Sequence, residues 1–75
     1  MQQTHAEMTI DAVRAEMARR RASVRVVSDG TGISKSSLQR RLEGKYPFTI
    51  TQLSAIARFL NVPLAALLPL DQDAA

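Results

Sequence analysis

Apolar residues recur along the chain at helical spacing, and polar ones fill the gaps between them. Ile10, Val13 and Met17 fall on one side of a helical wheel with Ala18 nearby, while Arg14, Glu16, Arg19 and Arg20 lie mostly elsewhere, the pattern of an amphipathic helix. Thr9 is placed to cap it, and Asp11 then lies in the first turn, where a negative charge suits the helix dipole. The first helix is therefore expected over residues 10–21. The arginines near its end complement the opposite pole.

Ser23 is the next N-cap. The stretch it opens, SVRVVS, half-alternates like a strand, and its valines are β-branched, which disfavours helix slightly. A lone short strand has no pairing partner elsewhere in the chain, so a helix is expected, with Val24, Val27 and Ser28 on its inner side and packing overriding propensity. Gly32 is placed to end it in the left-handed conformation that glycine adopts at little cost. Gly30 is expected to shorten or loosen the end of this helix. A turn of about three or four residues containing glycine is what joins two helices at a steep angle.

The run Ile33-Ser34-Lys35-Ser36-Ser37-Leu38 carries the sharpest local signal. Ser34 caps a new helix over 34–42, and Ile33 can pack on Leu38 as a hydrophobic staple. Leu38 and Leu42, four apart, form the inner stripe. At about 3.6 residues per turn, Ser36, Gln39 and Arg40 project from the other side, with Lys35 in the exposed first turn. Gly44 then stops the helix. Thr49 caps a fourth helix with an apolar stripe of Ile50, Leu53, Ile56, Ala57 and Leu60, and Asn61, which tolerates the left-handed conformation, ends it. Pro63 is expected to start a last short helix through Leu64, Leu67 and Leu68, with Pro69 stopping it. The expectation is an all-α bundle of about five short helices: a flexible tail at 1–8, a domain over 9–69 and a short tail at 70–75.

Composition narrows what such a bundle can do. Seventy-five residues make one domain, near the lower size at which a single core suffices. Cysteine is absent, which removes disulfides and thiolate metal sites. The longest apolar runs are only a few residues and no leader opens the chain, so no membrane partner and a cytoplasmic location are expected. Charge is unevenly spread. From Arg14 to Lys45 there are nine arginines and lysines against Glu16, Asp29 and Glu43, and nine less three is a local excess of +6. Such a block suits a polyanion, although a merely solvated basic surface has the same composition.

The outer face of residues 34–42 carries donors, hydroxyls and an amide, with no large apolar side chain. These groups read base edges in a major groove: arginine and lysine on guanine, glutamine on adenine, serine on several. In order, Gly32-Ile33, the polar helix 34–42, Gly44-Lys45, Leu60-Asn61-Val62 and Leu64 to Leu68 resemble the phage-repressor-like helix-turn-helix domains, the class that includes Cro and the N-terminal domains of lambdoid repressors. The resemblance covers about residues 10–69. It implies a transcriptional regulator, a repressor more than an activator, that binds double-stranded DNA as a homodimer in a bacterial or phage-infected cell, at the nucleoid. By position, Lys35, Ser36, Gln39 and Arg40 would face bases, and Arg25, Ser37, Arg41 and Lys45 would hold phosphates. Three residues depart from the family pattern: Ser28 where alanine is common, Thr31 where an apolar residue is common, and Asn61 where glycine is usual. Thr31 points to a looser turn. Ending soon after the fifth helix, the chain is more like a Cro-type regulator or an isolated DNA-binding domain than a two-domain repressor.

Phe59, Leu64, Leu67 and Leu70 are candidates for an apolar dimer patch, in competition with the core. The same face would serve the alternative reading, a protein-interaction module such as an antitoxin or adaptor. Single-stranded nucleic acid fits less well, because Tyr46, Phe48 and Phe59 are the only aromatics and are too scattered to form a stacking platform. Enzymatic activity, a cofactor, a metal and a small-molecule substrate are not expected: His5 stands alone near the start, and no carboxylate pair lies beside a nucleophile.

Overall fold

Thr4 and Glu7 set the start of the first helix. The Thr4 hydroxyl accepts from the Glu7 N–H at 3.1 Å and the Glu7 carboxylate accepts from the Thr4 N–H at 2.9 Å, a reciprocal capping box that satisfies two otherwise orphaned donors. Helix α1 (His5–Arg19) therefore begins about a turn before the Thr9 cap expected from periodicity. Residues 5–8 belong to the helix instead of a tail, and Thr9 and Asp11 lie within it. Periodicity missed this turn because His5, Ala6 and Glu7 are all exposed and carry no apolar stripe. The helix ends at Arg19, two residues before the expected limit, and the chain turns through Arg21 at φ 52°. There the Ala22 N–H donates to the Met17 carbonyl at 2.9 Å, closing the end as a left-handed cap does.

The computed structural model describes residues 4–68, which form four α-helices and one short 3-10 turn, with no strand among the described residues. Helix α2 (Val24–Thr31) is capped by Ser23, whose hydroxyl accepts from the Val26 N–H at 3.2 Å. Val27 is fully buried, and its burial outweighs the few tenths of a kcal/mol that β-branching costs a helix. Gly30 neither shortens nor loosens α2. It lies inside the helix, and a Cβ there would overlap the ring of Phe59 from the last α-helix. Glycine at this position permits close approach of the two elements.

The Gly30 contact gives an expected result. Gly30→Ala should lower the melting temperature although alanine is the better helix former by about 0.8–1 kcal/mol, because the Phe59 ring is displaced. In a Phe59→Ala background the same change should stabilise. A thermal-unfolding double-mutant cycle checks both signs; stabilisation in both backgrounds would mean that the contact has no energetic weight.

Gly32 ends α2 at φ 82°, with its N–H on the Ser28 carbonyl at 2.9 Å. Helix α3 (Lys35–Leu42) follows at once, capped by Ser34, which accepts from the Ser37 N–H at 3.2 Å. The turn between the two helices is tightly held, against the looseness expected from Thr31. The Thr31 hydroxyl donates to the Val27 carbonyl at 2.7 Å and accepts from the Ile33 N–H at 3.2 Å. The Ser28 hydroxyl donates to the Ile33 carbonyl at 2.6 Å. Ser28 and Thr31 thus both serve as hydrogen-bonding groups inside the turn.

Helix α4 (Ile50–Leu60) starts with a second capping box, Thr49 with Gln52, and stops at Asn61 with φ 61°. Leu53, Ile56, Ala57 and Leu60 are buried as expected, but Ile50 is 59% exposed, since the first helical residue leaves the core-facing stripe. The expected fifth helix is a single 3-10 turn, Leu64–Ala66. Only five residues separate Pro63 from Pro69, and residues before proline disfavour the α conformation, so a short i→i+3 turn is what the segment can form. It drops Leu67 into the core with no exposed surface.

Leu38, Ile56, Val13 and Val27, one from each α-helix, and Leu67, just past the 3-10 turn, make the centre of that core. Helix α2 touches both α3 and α4, and α1 rests on α3. The polar edge of α1 is tied down as well. Glu16, 9% exposed, receives Arg19 at 2.8 Å and Arg20 at 2.6 Å, and Arg20 Nε also donates to the Leu60 carbonyl at 2.6 Å. Arg20 thereby satisfies a carbonyl in the last turn of α4, one of the four that a helix leaves without partners.

Candidate nucleic-acid interface

The inner face of α3 is fixed by Leu38, which is fully buried, and by Leu42 at 5% exposure, with Ile33 packed against the same core. That burial turns Lys35, Ser36, Gln39 and Arg40 outward, and all four are exposed. Lys35, Gln39 and Arg40 make no side-chain hydrogen bond or ion pair within the described residues. The Ser36 hydroxyl lies 3.5 Å from that of Ser34. The four expected base-facing residues therefore share one solvated surface with their hydrogen-bonding groups available.

The four expected phosphate-holding residues divide. Arg25 is exposed on the first turn of α2 with no partner among the described residues. Lys45 is exposed and pairs with Glu43 at 3.3 Å; both side chains are more than half solvated, so this link is worth about 0–1 kcal/mol and leaves Lys45 easily recruited. Ser37 and Arg41 are engaged with each other. The Arg41 guanidinium donates to the Ser37 hydroxyl and carbonyl, and it lies 5.9 Å from the centroid of the Tyr46 ring, within the range of a cation–π contact. Its Nε is buried without a partner. Charge counting from sequence treats every arginine alike, but Arg14, Arg20 and Arg41 donate to backbone carbonyls of the protein, while Arg19, 69% exposed, holds only an ion pair with Glu16 and is recruited as easily as Lys45. Among the described residues, the positive side chains without a hydrogen-bond or ion-pair partner are Arg21, Arg25, Lys35, Arg40 and Arg58.

Arg14 has a place that periodicity did not suggest. From α1 its guanidinium donates to the Leu42 carbonyl, the last of α3, at 2.9 Å. The only sequence signal was its position off the apolar stripe of α1, which says nothing about its partner. Past it, the end of α3 is closed by Gly44 at φ 85°, as expected, with the Lys45 N–H on the Arg40 carbonyl at 2.9 Å.

The expected apolar dimer patch is not assembled as one surface. Leu67 is wholly buried and cannot belong to it; Leu64 is half-buried against the core; Phe59, at 38% exposure, rests on Gly30. Leu70 lies outside the described residues. Among the described residues no cluster of three or more potential ligands could hold a metal ion, and no helix is long and apolar enough to cross a membrane.

No curated protein and no solved structure matches the chain. A family model does, over residues 4–75, which takes in the capping box at Thr4, the α2–α3 turn and the 3-10 turn alike. The chain belongs to the family of the BetR domain.

Proposed function

We propose that the protein is a sequence-specific double-stranded DNA-binding regulator of transcription, with α2 and α3 as its helix-turn-helix and α3 seated in the major groove. The observation that carries this reading is the outer face of α3. Lys35, Ser36, Gln39 and Arg40 stand together in solvent on a helix whose opposite face is core. Donors and acceptors held in this way on a rigid element match the edges that base pairs present in the major groove. Arg25 on α2 and Lys45 just past α3, both exposed, supply charge for phosphates, which gives affinity and register where base contacts give sequence choice.

In this reading the protein binds as a dimer to a partly palindromic operator, with half-sites about one helical turn, ~34 Å, apart. Regulation comes from occupying the site, as in a Cro-type repressor, without chemistry on the DNA. A protein-interaction role would draw instead on the large apolar side chains left outside, Val26, Tyr46, Ile50 and Phe59 at 38–59% exposure.

Selection from a pool of random duplexes, with Lys35→Ala and Gln39→Ala run beside the wild type, tests the reading. The expected result is a two-fold symmetric motif whose preference changes at particular bases in each variant. Binding with no enriched motif, lost on modest addition of salt, would be electrostatic attraction alone and would sink it.

A further inference from the structure

An eight-residue helix resting on Leu38 and Leu42 has its inward face set by their burial, but apolar contact is non-directional, so burial alone fixes the last few degrees of roll and the register less sharply than it fixes the face. Hydrogen bonds are directional, and side chains of the two preceding helices reach α3 near its start, at Ile33, where Thr31 also accepts from the N–H, and at its last residue, Leu42. At the start, the Ser28 hydroxyl of α2 donates to the Ile33 carbonyl at 2.6 Å. At the finish, the Arg14 guanidinium of α1 donates to the Leu42 carbonyl at 2.9 Å.

The second bond completes the helix terminus. The last turn of any α-helix leaves four carbonyls without intrahelical partners. Here the Gln39 carbonyl takes the Glu43 N–H, the Arg40 carbonyl takes the Lys45 N–H, and the Arg41 carbonyl takes the Gly44 N–H. Leu42 has Arg14. The guanidinium also brings positive charge to the negative end of the helix dipole.

We propose that Arg14 and Ser28 are positioning residues that set the roll and register of α3, and through it the choice of DNA sequence, without touching DNA. The inference rests on the reading of α3 as the helix that meets base edges. The tolerance there is small. A roll of about 20° carries a side-chain tip about 5–6 Å from the helix axis through about 2 Å, enough to break a hydrogen bond to a base. Arg14 and Ser28 belong to different helices, so the pose of α3 is referred to both α1 and α2.

Arg14→Met keeps most of the stem and removes the donor; Ser28→Ala removes a donor without changing charge. For each variant two quantities are read: the affinity ratio between the selected duplex and an unrelated one, with its salt dependence, and amide hydrogen exchange across α3 and α4 in the free protein. The expected result is a fall in the ratio of about ten-fold, of the order that loss of one such hydrogen bond gives. The salt slope should be unchanged, and exchange should quicken in α3 more than in α4. If Arg14→Met weakens binding to both duplexes equally and lowers the salt slope by about 0.9, Arg14 holds a phosphate and the proposal falls. Equal quickening in α3 and α4, or an unchanged ratio, also overturns it. A wild type that does not discriminate between duplexes removes the DNA reading itself, and with it any role in sequence choice. The exchange data would then still show whether the two residues hold α3, so the two failures are told apart.

Discussion

Leu38→Ala is expected to leave the domain at or near the edge of unfolding. Leu38 has no exposed surface and sits at the centre of a core drawn from all four α-helices. Truncating such a leucine costs about 2–5 kcal/mol, from lost transfer energy and the cavity left behind. At about 0.05–0.15 kcal/mol per residue, a chain of 75 residues has roughly 4–11 kcal/mol of stability in total. Each kcal/mol shifts the midpoint by about 4–8 °C in a domain of this size, so thermal unfolding followed by circular dichroism should show a fall of at least about 8 °C. Gln39→Ala, one residue along on the exposed face, should stay within about 0.5 kcal/mol of the wild type. A Leu38→Ala protein that melts within a few degrees of the wild type would mean that α3 does not turn its leucines inward. The outward face proposed for DNA would lose its physical basis with it.

Arg40→Ala and Arg25→Ala are expected to damage binding in different ways. Arg40 is exposed, unpartnered and on the face of α3 that presents Gln39 and Lys35. Its loss should cost about 1–3 kcal/mol on the preferred duplex and much less on duplexes altered at one base position. Arg25 lies on the first turn of α2, a different helix. Its loss should weaken all duplexes alike and reduce the dependence of log affinity on log salt by about 0.9. Fluorescence anisotropy over a salt series, with the selected duplex and single-base variants of it, separates the two. A uniform loss for Arg40→Ala would move it from base reading to phosphate holding. A base-dependent loss for Arg25→Ala would place α2, and not only α3, in contact with base edges. Arg41, already bonded to Ser37 and lying over Tyr46, would have to leave those partners to reach a phosphate.

Much of the fold was legible because the signals that mark helix ends are local. Ser23, Ser34 and Thr49 cap where their side chains suggested, and Gly32, Gly44 and Asn61 take left-handed backbones where the pattern changes. In each case the deciding groups lie within about four residues of one another, so the chemistry is visible in the order of the chain. Where pattern and structure differ, the causes are local too. The Thr4–Glu7 capping box precedes the apolar stripe, so periodicity does not mark it, and the five residues between Pro63 and Pro69 are too few for a full α-helix.

The sequence by itself determined the four α-helices, every helix end except the start of α1 to within a turn, and the division of α3 into an apolar and a polar face, because helix periodicity and capping operate between near neighbours. Tertiary structure alone decided which basic residues remain outside and which are bound within. The partner of Arg14 is 28 positions away and that of Arg20 is 40, and no local pattern names a carbonyl at such a distance. It also decided why Gly30 is a glycine, since the ring it accommodates belongs to α4, and why Leu67 is core instead of surface. The physical reason is common to all three. A hydrogen bond to a helix end, a close approach and a buried leucine each depend on which elements meet. That meeting is settled by the packing of the whole core.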